Sequence, residues 1–241
     1  AVHGKDGLGD TGLEPGPIAI EPMDALELAV SLIMDGRIDY IVATGPLTNI
    51  ARIIEKIPGI SKRIKGIYLM GGAIATEGNI TPCAEFNIYC DPEAALSVFE
   101  SDLPKTVVSL DVTRSVALDE DDIRVLSNTK NALSSFICAI ASYSMEYNKR
   151  VRGIAGASLH DPLCVGVAID ESLCAYREGH FDIKLQGPER GMIVNGRNAV
   201  RYCSGVDAER FKKLLLTELT RLIKESEASP KGKSETSSKG D

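Results

Sequence analysis

The 241 residues are enough for one large α/β domain with a substantial core, and 44% apolar with 25% charged residues is the composition of an ordinary globular protein. The net charge is −7 with lysine and arginine scattered along the chain, which argues against a nucleic-acid partner because such proteins present a basic face. No apolar run is as long as a membrane span, and the first ten residues do not resemble a signal peptide.

The first half of the chain alternates between helices and short apolar strands. The first predicted helix, residues 21–36, has Pro22 in its first turn and Gly36 after its end. Buried strands are then predicted at 38–44, 66–72 and 105–112, with helices between them at 46–58 and 91–101. This alternation indicates crossover connections and a mostly parallel sheet.

The second half is more helical. Helices are predicted at 119–127, 131–151 and 159–170, followed by an antiparallel hairpin of residues 174–185 and 191–196 and by a closing amphipathic helix from Gly205. Residues 225–241 are polar and predicted to be a disordered tail. Residues 1–224 are therefore expected to form one α/β domain, an open, mostly parallel, Rossmann-like sheet flanked by helices.

The six cysteines lie in apolar segments and do not form the C-x-x-C pair of a zinc site. They are Cys83, Cys90, Cys138, Cys164, Cys174 and Cys203. In a chain of this size we expect buried, reduced thiols rather than a disulfide framework. Reduced thiols in turn favour a cytoplasmic location.

The stretch GNITPCAEFNIYCDPEAA, residues 78–95, places Asn79, Glu85 and Asn87 in a loop-like run before a helix that starts at Asp91. Polar groups in loops are ordinarily solvated. An acid and two amides, which together donate and accept hydrogen bonds, would also suit a ligand rich in hydroxyl groups, such as a sugar.

Three polar stretches follow predicted strands: ATGPLTN, MGGAIATEGN and LDVT. Ligands of an open parallel sheet bind beyond the carboxyl ends of its strands, so these stretches are candidates for a binding site. Tight turns and helix caps would require the same residue types.

The pair His160–Asp161 occurs in LHDPL, in a chain with three histidines. The ordinary interpretation is a helix start, with Asp161 as the N-cap and Pro162 in the first turn. The functional interpretation makes His160 a proton donor and Asp161 a ligand of a hard metal ion.

Two further candidates have ordinary interpretations. Tyr143 and Tyr147 lie one helical turn apart, where they either pack on the core or stack on a planar ligand. His3 and Asp6 lie in the glycine-rich segment VHGKDGLGD, and such residues are usually structural.

Taken together, VHGKDGLG, ATGPLTNIA, YLMGGA, GN-x-TP-x-AEFN-x-x-x-DPEAA and HDPL, in this order, resemble the inosine–uridine-preferring nucleoside hydrolase family. The resemblance extends from residue 2 to about residue 215. It implies an open α/β enzyme of purine and pyrimidine salvage that cleaves the N-glycosidic bond of ribonucleosides with one bound calcium ion. It also implies a homodimer or homotetramer, and it leaves the preferred base open.

The resemblance assigns roles to individual residues. Asn79, Glu85 and Asn87 match the positions that hold the ribose hydroxyls, and His160 matches the group that assists departure of the base. The main-chain carbonyl of Thr44 and the carboxylate of Asp161 match calcium ligands. Further residues that it places around the sugar or the base are Met70, His3, Phe86, Tyr143, Tyr147 and Arg152.

One feature of the family is absent from this sequence. Family members open with the signature D-x-D-x-G-x-D-D, which supplies two more calcium ligands and the base that deprotonates the water, and this chain has no such motif. We therefore expect a fragment without its N-terminal strands that is inactive by itself. The alternatives are a non-catalytic nucleoside- or ribose-binding relative, or a structural subunit that pairs with a chain containing the missing strand.

Overall fold

The computed structural model describes residues 3–13, 16 and 19–228, and the chain divides into two compact units. Residues 14–117 and 158–212 form the first, here called the sheet unit. Residues 1–13, 118–157 and 213–241 form the second, here called the helical unit. The predicted tail begins inside a helix that continues to Ala228, and its remainder lies outside the described residues.

Helices and strands alternate through the first half of the described chain. The helices are α1 (Ala25–Met34), α2 (Thr48–Lys56), α3 (Phe86–Cys90), α4 (Pro92–Glu100), α5 (Leu110–Thr113), α6 (Glu120–Leu126), α7 (Ala132–Tyr147), α8 (His160–Ile169) and α9 (Ala208–Ala228). The strands are β1 (Tyr40–Ala43), β2 (Gly66–Met70), β3 (Lys105–Val108), β4 (Ala117–Leu118), β5 (Ala157–Ser158), β6 (Cys174–Ile183), β7 (Ile193–Asn195) and β8 (Asn198–Val206).

The main sheet has the strand order β1-β2-β3-β8-β6-β7, and β4 and β5 form a separate two-stranded sheet. Strands β1, β2, β3 and β8 run parallel, whereas β6 is antiparallel to both β8 and β7. The predicted open, mostly parallel sheet and the predicted hairpin are thus confirmed. Strand β8, which lies in the middle of the sheet, was not predicted.

The core of the sheet unit lies between the sheet and the helices α1, α2 and α4, and α8 contacts β2. Every residue of β2 is buried, as expected for an inner strand of a parallel sheet. Large side chains of this core with almost no exposed surface are Ile33, Leu47, Ile60, Ile67, Leu69, Ile88, Phe99 and Leu103.

Side-chain caps fix where several helices begin. Asp24 accepts the N–H of Leu26 at 2.9 Å, so α1 begins after Asp24 and the prediction that Pro22 lies in its first turn is wrong. Asp91 caps α4, accepting the N–H of Ala94 at 3.0 Å, with a proline in the first helical position as predicted.

Two predicted strands differ from the observed ones. Strand β1 is not buried throughout, because it is the edge strand of the described sheet and leaves Tyr40 46% and Val42 38% exposed. The stretch 105–112 is a strand only as far as Val108, and the chain then turns into α5 at Leu110.

The helical unit contains α6, α7 and the part of α9 from Lys213 onward. The Nδ2 of Asn131, at the start of α7, donates to the carbonyl of Ile223 at 2.8 Å and to the hydroxyl of Ser226 at 3.0 Å, which joins α7 to α9. A π-helical turn, Asn148–Arg152, follows α7. Across the described ranges, α9 included, we find no helix with both the length and the apolar character that a bilayer crossing requires.

All six cysteines are free thiols. Cys164 and Cys203 are buried, but Cys90 is exposed and the other three are half-buried, so the expectation of burial is wrong for Cys90. Cys90 is the last residue of the short helix α3, a position that the sequence pattern did not reveal.

The contact between α8 and Phe211 gives a stability prediction. A Cβ on Gly166 would lie 2.4 Å from Cε2 of Phe211. Alanine is normally preferred over glycine in a helix by about 1 kcal/mol, but overpacking costs about 1–3 kcal/mol. We therefore expect Gly166→Ala to lower the free energy of unfolding in urea titrations.

The matched control is Gly205→Ala, where the added Cβ would lie 3.7 Å from the Cβ of Ala175, an ordinary contact. Its free energy of unfolding should stay within about 0.5 kcal/mol of the original chain. Equal losses in the two variants would contradict the packing argument.

Candidate functional site

The candidate residues of the sheet unit gather where β1, β2 and β3 end. These strands run parallel with paired residues from their starts to their ends, so their carboxyl ends lie on one edge of the sheet. Thr44 follows β1, Met70 ends β2, and α5 begins two residues after β3.

Asn87, on α3, connects the ends of β1 and β2. Its Nδ2 donates to the carbonyl of Met70 at 3.0 Å and lies 3.5 Å from the carbonyl of Thr44. The residue is 7% exposed, so these bonds satisfy an amide that would be costly to bury unpaired. Among the described residues we find no donor to its Oδ1, which can therefore accept a hydrogen bond from a ligand.

Glu85 is the N-cap of α3 and is 2% exposed. Its Oε1 accepts the N–H of Asn87 at 2.9 Å, and its Oε2 accepts the N–H groups of Ile88 at 3.1 Å and Gly72 at 3.0 Å. Burial raises the pKa of this carboxyl, and the negative charge of Asp161 adds to the rise, against the opposing effect of the three backbone donors. The expectation of a solvated loop residue is wrong for Glu85, because the segment folds into a capped helix.

Asn79 lies in a turn that closes onto the start of α3. Its Oδ1 accepts the N–H of Phe86 at 2.8 Å, and its own N–H donates to the carbonyl of Ala84 at 3.1 Å. A Cβ on Gly78 would lie 2.1 Å from that same carbonyl oxygen, so the turn requires glycine. Phe86 is half-exposed as the first residue of α3.

Asp111 and Arg114 position the loop after β2, and the sequence analysis did not identify either residue. Asp111 accepts the N–H groups of Ile74 at 2.9 Å and Ala75 at 2.7 Å. Arg114 donates to the hydroxyl of Thr76 at 2.8 Å and to the carbonyl of Gly78 at 2.7 Å. The LDVT stretch at a strand end was the available signal for Asp111, but it did not reveal that α5 would orient these side chains.

His160 and Asp161 begin α8. The N-cap is Leu159, so the interpretation of Asp161 as the cap is wrong. The Nδ1 of His160 lies 2.7 Å from the hydroxyl of Thr113, within hydrogen-bond distance, and Thr113 also went unidentified in the sequence. Asp161 is exposed, and its charge acts on Glu85. Asp161 thus acts electrostatically on one of the ribose-binding candidates.

The other candidates, His3, Tyr143, Tyr147 and Arg152, belong to the helical unit. His3 is exposed, and the two tyrosines are half-buried on α7. A Cβ on Gly9 would lie 3.0 Å from the Cβ of Tyr143, so the N-terminal segment packs closely on α7. The guanidinium of Arg152 lies 5.9 Å from the ring centroid of Tyr147.

Asp6 has the structural role that glycine-rich segments usually give an aspartate. Its carboxylate accepts the N–H of Leu8 at 2.7 Å and the N–H of Asp10 at 2.9 Å. These bonds to backbone N–H groups, that of Leu8 first, lower the pKa of the Asp6 carboxyl. Asp6 therefore stabilises a turn.

A cavity of about 800 Å³ lies at the opposite edge of the sheet. The first residues of β1, β2 and β3 line it, together with Arg201 on β8, and the candidate residues of the sheet unit do not. Arg201 is bound there to Glu171 and Thr106, and Lys105 donates to the carbonyls of Phe99 and Ser101. These charged side chains are hydrogen-bonded to protein groups, and the candidate residues lie elsewhere. The cavity is therefore not the site that the sequence indicated.

Comparison with known proteins identifies a family. Residues 1–213 match the family model described as inosine-uridine preferring nucleoside hydrolase. A probable uridine nucleosidase 2 from Arabidopsis thaliana is 36% identical over 204 residues, which are 83% of this chain and 63% of that protein. A pyrimidine-specific ribonucleoside hydrolase RihA from Citrobacter koseri is 36% identical over 80% of this chain and 62% of its own length. The chain thus spans less than two thirds of these relatives.

Solved structures give the same result. A purine-preferring ribonucleoside hydrolase from Gardnerella vaginalis superposes with a TM-score of 0.87 at 30% identity, covering 92% of this chain and 73% of that one. A plant nucleoside hydrolase superposes with a TM-score of 0.85 at 31% identity, covering 91% of this chain and 74% of that one.

The raised pKa of Glu85 predicts a pH effect on stability. The folded chain binds this proton more tightly than the unfolded chain, so stability is lost as the pH rises from about 4 through the folded-state pKa. Glu85→Gln removes this loss, although it also removes an acceptor oxygen at every pH. In calcium-free buffer, the free energy of unfolding of Glu85→Gln should therefore improve relative to the original chain as the pH rises.

Glu93→Gln is a control of opposite sign. The hydrogen bond from Arg190 lowers the pKa of the Glu93 carboxyl, so the original chain gains stability over this variant as the pH rises. Urea titrations of both variants from acidic to neutral pH test the two slopes. If the free energies of unfolding of Glu85→Gln and the original chain change in parallel with pH, burial does not raise the pKa of the Glu85 carboxyl.

Proposed function

The chain belongs to the inosine-uridine preferring nucleoside hydrolase family, and from this premise we propose that it hydrolyses the N-glycosidic bond of ribonucleosides to ribose and the free base. The observation that supports this most directly is the buried pair Glu85 and Asn87 at the carboxyl ends of β1 and β2. Polar side chains held this rigidly in a buried position suit recognition of a sugar that every substrate would share.

The oxygen atoms of Glu85 and Asn87 suit the chemistry of glycosidic cleavage. Departure of a base from the sugar leaves positive charge on the ribose ring, as in other glycosidic cleavages. The carboxyl of Glu85 and the Oδ1 of Asn87 are oxygen groups that would stabilise this charge where they lie against the ring. Both are fixed by backbone bonds before a substrate arrives, so little reorganisation is needed.

His160 would act on the base. Its Nδ1 is engaged by the hydroxyl of Thr113, which orients the imidazole ring. Proton donation to the departing base would then fall to Nε2, so that the base leaves as a neutral molecule. Thr113 acts in this proposal as a positioning residue.

Calcium is the metal ion that the donor chemistry fits. The carboxylate of Asp161 and the main-chain carbonyl of Thr44 are hard oxygen donors at exposed positions. Calcium takes about six to eight oxygen ligands, so water and sugar hydroxyls would have to complete its shell beside these two. When bound, calcium would acidify a coordinated water. A cation would also offset the repulsion between Asp161 and Glu85.

The substrates that we propose to test first are uridine and inosine. The relatives described above include a probable uridine nucleosidase and a pyrimidine-specific hydrolase, whereas one solved structure is of a purine-preferring enzyme. A role of Tyr143, Tyr147 and Arg152 in base preference, which the family resemblance implies, stays a prediction. Assembly as a homodimer or homotetramer and a cytoplasmic location stay predictions.

The test is release of reducing sugar from uridine and inosine, measured with calcium for residues 1–241 and for the longest reading frame that contains them. Hydrolysis that depends on calcium in either protein supports the proposal. Binding of ribonucleosides by calorimetry without any hydrolysis would instead support the ribose-binding alternative. If the proteins neither bind nor hydrolyse ribonucleosides, both the hydrolase proposal and the ribose-binding alternative are contradicted.

Substitutions in the hydrolysing protein separate the two proposed roles. Asn87→Ala should lower kcat/KM for all nucleosides by about 10²- to 10³-fold, because it removes a contact to the shared ribose. His160→Ala should lower it by about 10²- to 10⁴-fold for uridine and inosine. The kcat/KM of His160→Ala for nitrophenyl riboside should stay nearly unchanged, because that leaving group needs no proton.

His180→Ala is the control, since this exposed histidine lies on β6 beside the cavity at the opposite edge of the sheet. It should match the original protein on every substrate. Equal slowing of uridine and nitrophenyl riboside by His160→Ala would show that His160 is not the acid for the leaving group.

Calcium binding gives a further prediction. Isothermal calorimetry on residues 1–241 should show weak calcium binding, because few of its oxygen ligands are present in the described site. Asp161→Asn should weaken it further by at least about tenfold, since an amide lacks the charge that calcium favours. Asp39→Asn, remote from the site at the start of β1, is the control. Tight zinc binding through cysteines would contradict the assignment.

A further inference from the structure

Two contacts join the connection after β1 to the segment that contains α3. The Nδ2 of Asn87 lies 3.5 Å from the carbonyl oxygen of Thr44, and the hydroxyl of Thr48 donates to the Oδ2 of Asp91. In both contacts the partners are 43 positions apart along the chain. The segments 44–48 and 87–91 are therefore tied to each other at both of their ends.

The contact at Thr44 is the weaker of the two. Its 3.5 Å distance is longer than that of an ordinary N–H···O hydrogen bond, which is about 2.7–3.2 Å. The same Nδ2 of Asn87 makes a shorter bond, of 3.0 Å, to the carbonyl of Met70. Thr44 is also exposed. Asn87 by itself therefore does little to hold the main-chain oxygen of Thr44 in place.

Asp91 has one carboxylate oxygen more than its role as a helix cap requires. Its Oδ1 accepts the N–H of Ala94 at 3.0 Å and so caps α4. Asparagine and serine, which have a single side-chain oxygen, cap helices about as well as aspartate. The second oxygen, Oδ2, accepts the hydroxyl of Thr48, and a hydrogen bond to a charged acceptor is stronger than one between neutral groups. This second oxygen thus joins α4 to the start of α2.

The far end of the connection after β1 is anchored twice. Thr48 is the first residue of α2 and is bound to Asp91, and the preceding Leu47 is 1% exposed. The N-cap position of α2 makes no side-chain hydrogen bond, so the hydroxyl of Thr48 serves the contact with Asp91 and not a cap of its own helix. Because few bonds separate Thr48 from Thr44, anchoring one restricts the movement of the other.

We propose that Thr48 is a positioning residue, whose hydrogen bond to Asp91, here called the clamp, holds the main-chain oxygen of Thr44 beside Asn87. The proposed function uses that oxygen as a calcium ligand and Asn87 as a ribose contact, so the clamp would set the metal ion and the sugar in a fixed relation. The inference rests on the proposed function for these two ligands, whereas the clamp itself rests on the contacts between the segments.

The first experiment measures the motion of the Thr44 carbonyl in the 241-residue chain without calcium or substrate. The N–H of Gly45 shares a peptide plane with this carbonyl, so its ¹⁵N NMR order parameter reports on the carbonyl directly. It should be about 0.85 in the original chain, as in rigid backbone, and fall below about 0.6 in Thr48→Val. This substitution removes the hydroxyl and keeps the branched side chain.

Two controls separate the clamp from a general loss of stability. Thr48→Ser keeps the hydroxyl and should restore the order parameter of Gly45. Thr217→Val, which removes an exposed hydroxyl on α9, should leave it unchanged. The N–H of Leu69 in β2 should stay rigid in every variant. A mobile Gly45 in the original chain, a rigid Gly45 in Thr48→Val, or a parallel loss of order at Leu69 would overturn the proposal.

Asp91→Ser tests the other side of the clamp, because serine keeps a cap oxygen for α4 and removes the second acceptor. It should mobilise Gly45 as Thr48→Val does, and the double variant should show no further loss, since both changes remove one interaction. An Asp91→Ser chain with a rigid Gly45, or additive losses in the double variant, would show that Thr48 does not act through Asp91.

The hydrolysing protein supplies the functional measurement. Thr48→Val should raise the calcium concentration that gives half the maximal rate by about two- to tenfold, as expected for the loss of one hydrogen bond. The kcat at saturating calcium should stay within about twofold, and Thr48→Ser should restore the calcium requirement. A lowered kcat with an unchanged calcium requirement would contradict a positioning role. If no protein hydrolyses ribonucleosides, the proposed function fails, and the order parameters of Gly45 still decide whether the clamp exists.

Discussion

A buried amide holds the carboxyl ends of two parallel strands in a fixed relation. The Nδ2 of Asn87 bonds to the last carbonyl of β2 and approaches the carbonyl that follows β1. Because an unpaired amide in this environment would be costly, the strand ends and α3 can adopt few other arrangements. The main-chain oxygen of Thr44 and the oxygen of the same amide are thereby presented at one edge of the sheet, where the candidate site lies.

The carboxyl of Glu85 shows how structure and chemistry compete in this site. Three backbone N–H groups favour its ionised form, while burial and the charge of Asp161 oppose it. A positive charge, from a metal ion or from a sugar ring that is losing its base, would relieve this opposition. The same group therefore caps a helix and suits a cationic partner in the proposed reaction.

The loop between β2 and α3 owes its position to Asp111 on α5 and to Arg114, the residue that follows this helix. Asp111 binds two of its backbone N–H groups and Arg114 binds its far end, so Asn79 approaches α3 from a fixed direction. Thr113, on the same helix, contacts His160. One short helix after β3 and the arginine that follows it thus position both the ribose-binding candidates and the leaving-group candidate. The sequence marked this stretch only as a candidate at a strand end and assigned no role to an individual residue in it.

Local signals in the sequence specify the α/β alternation, because apolar periodicity and residues such as Asp91 and Pro92 act over a few neighbouring positions. The sequence also determined the family, since short motifs preserve residue types in order. It did not determine β8, α3 or the end of β3. Strand β8 has mixed burial, and Glu85 is recognisable as a cap only once Gly72 and Ile88 donate to it. Only the three-dimensional arrangement makes Asp161 act on Glu85 and Thr113 contact His160. Each of these contacts joins residues far apart in the chain, and local propensity contains no information about which strands and helices become neighbours.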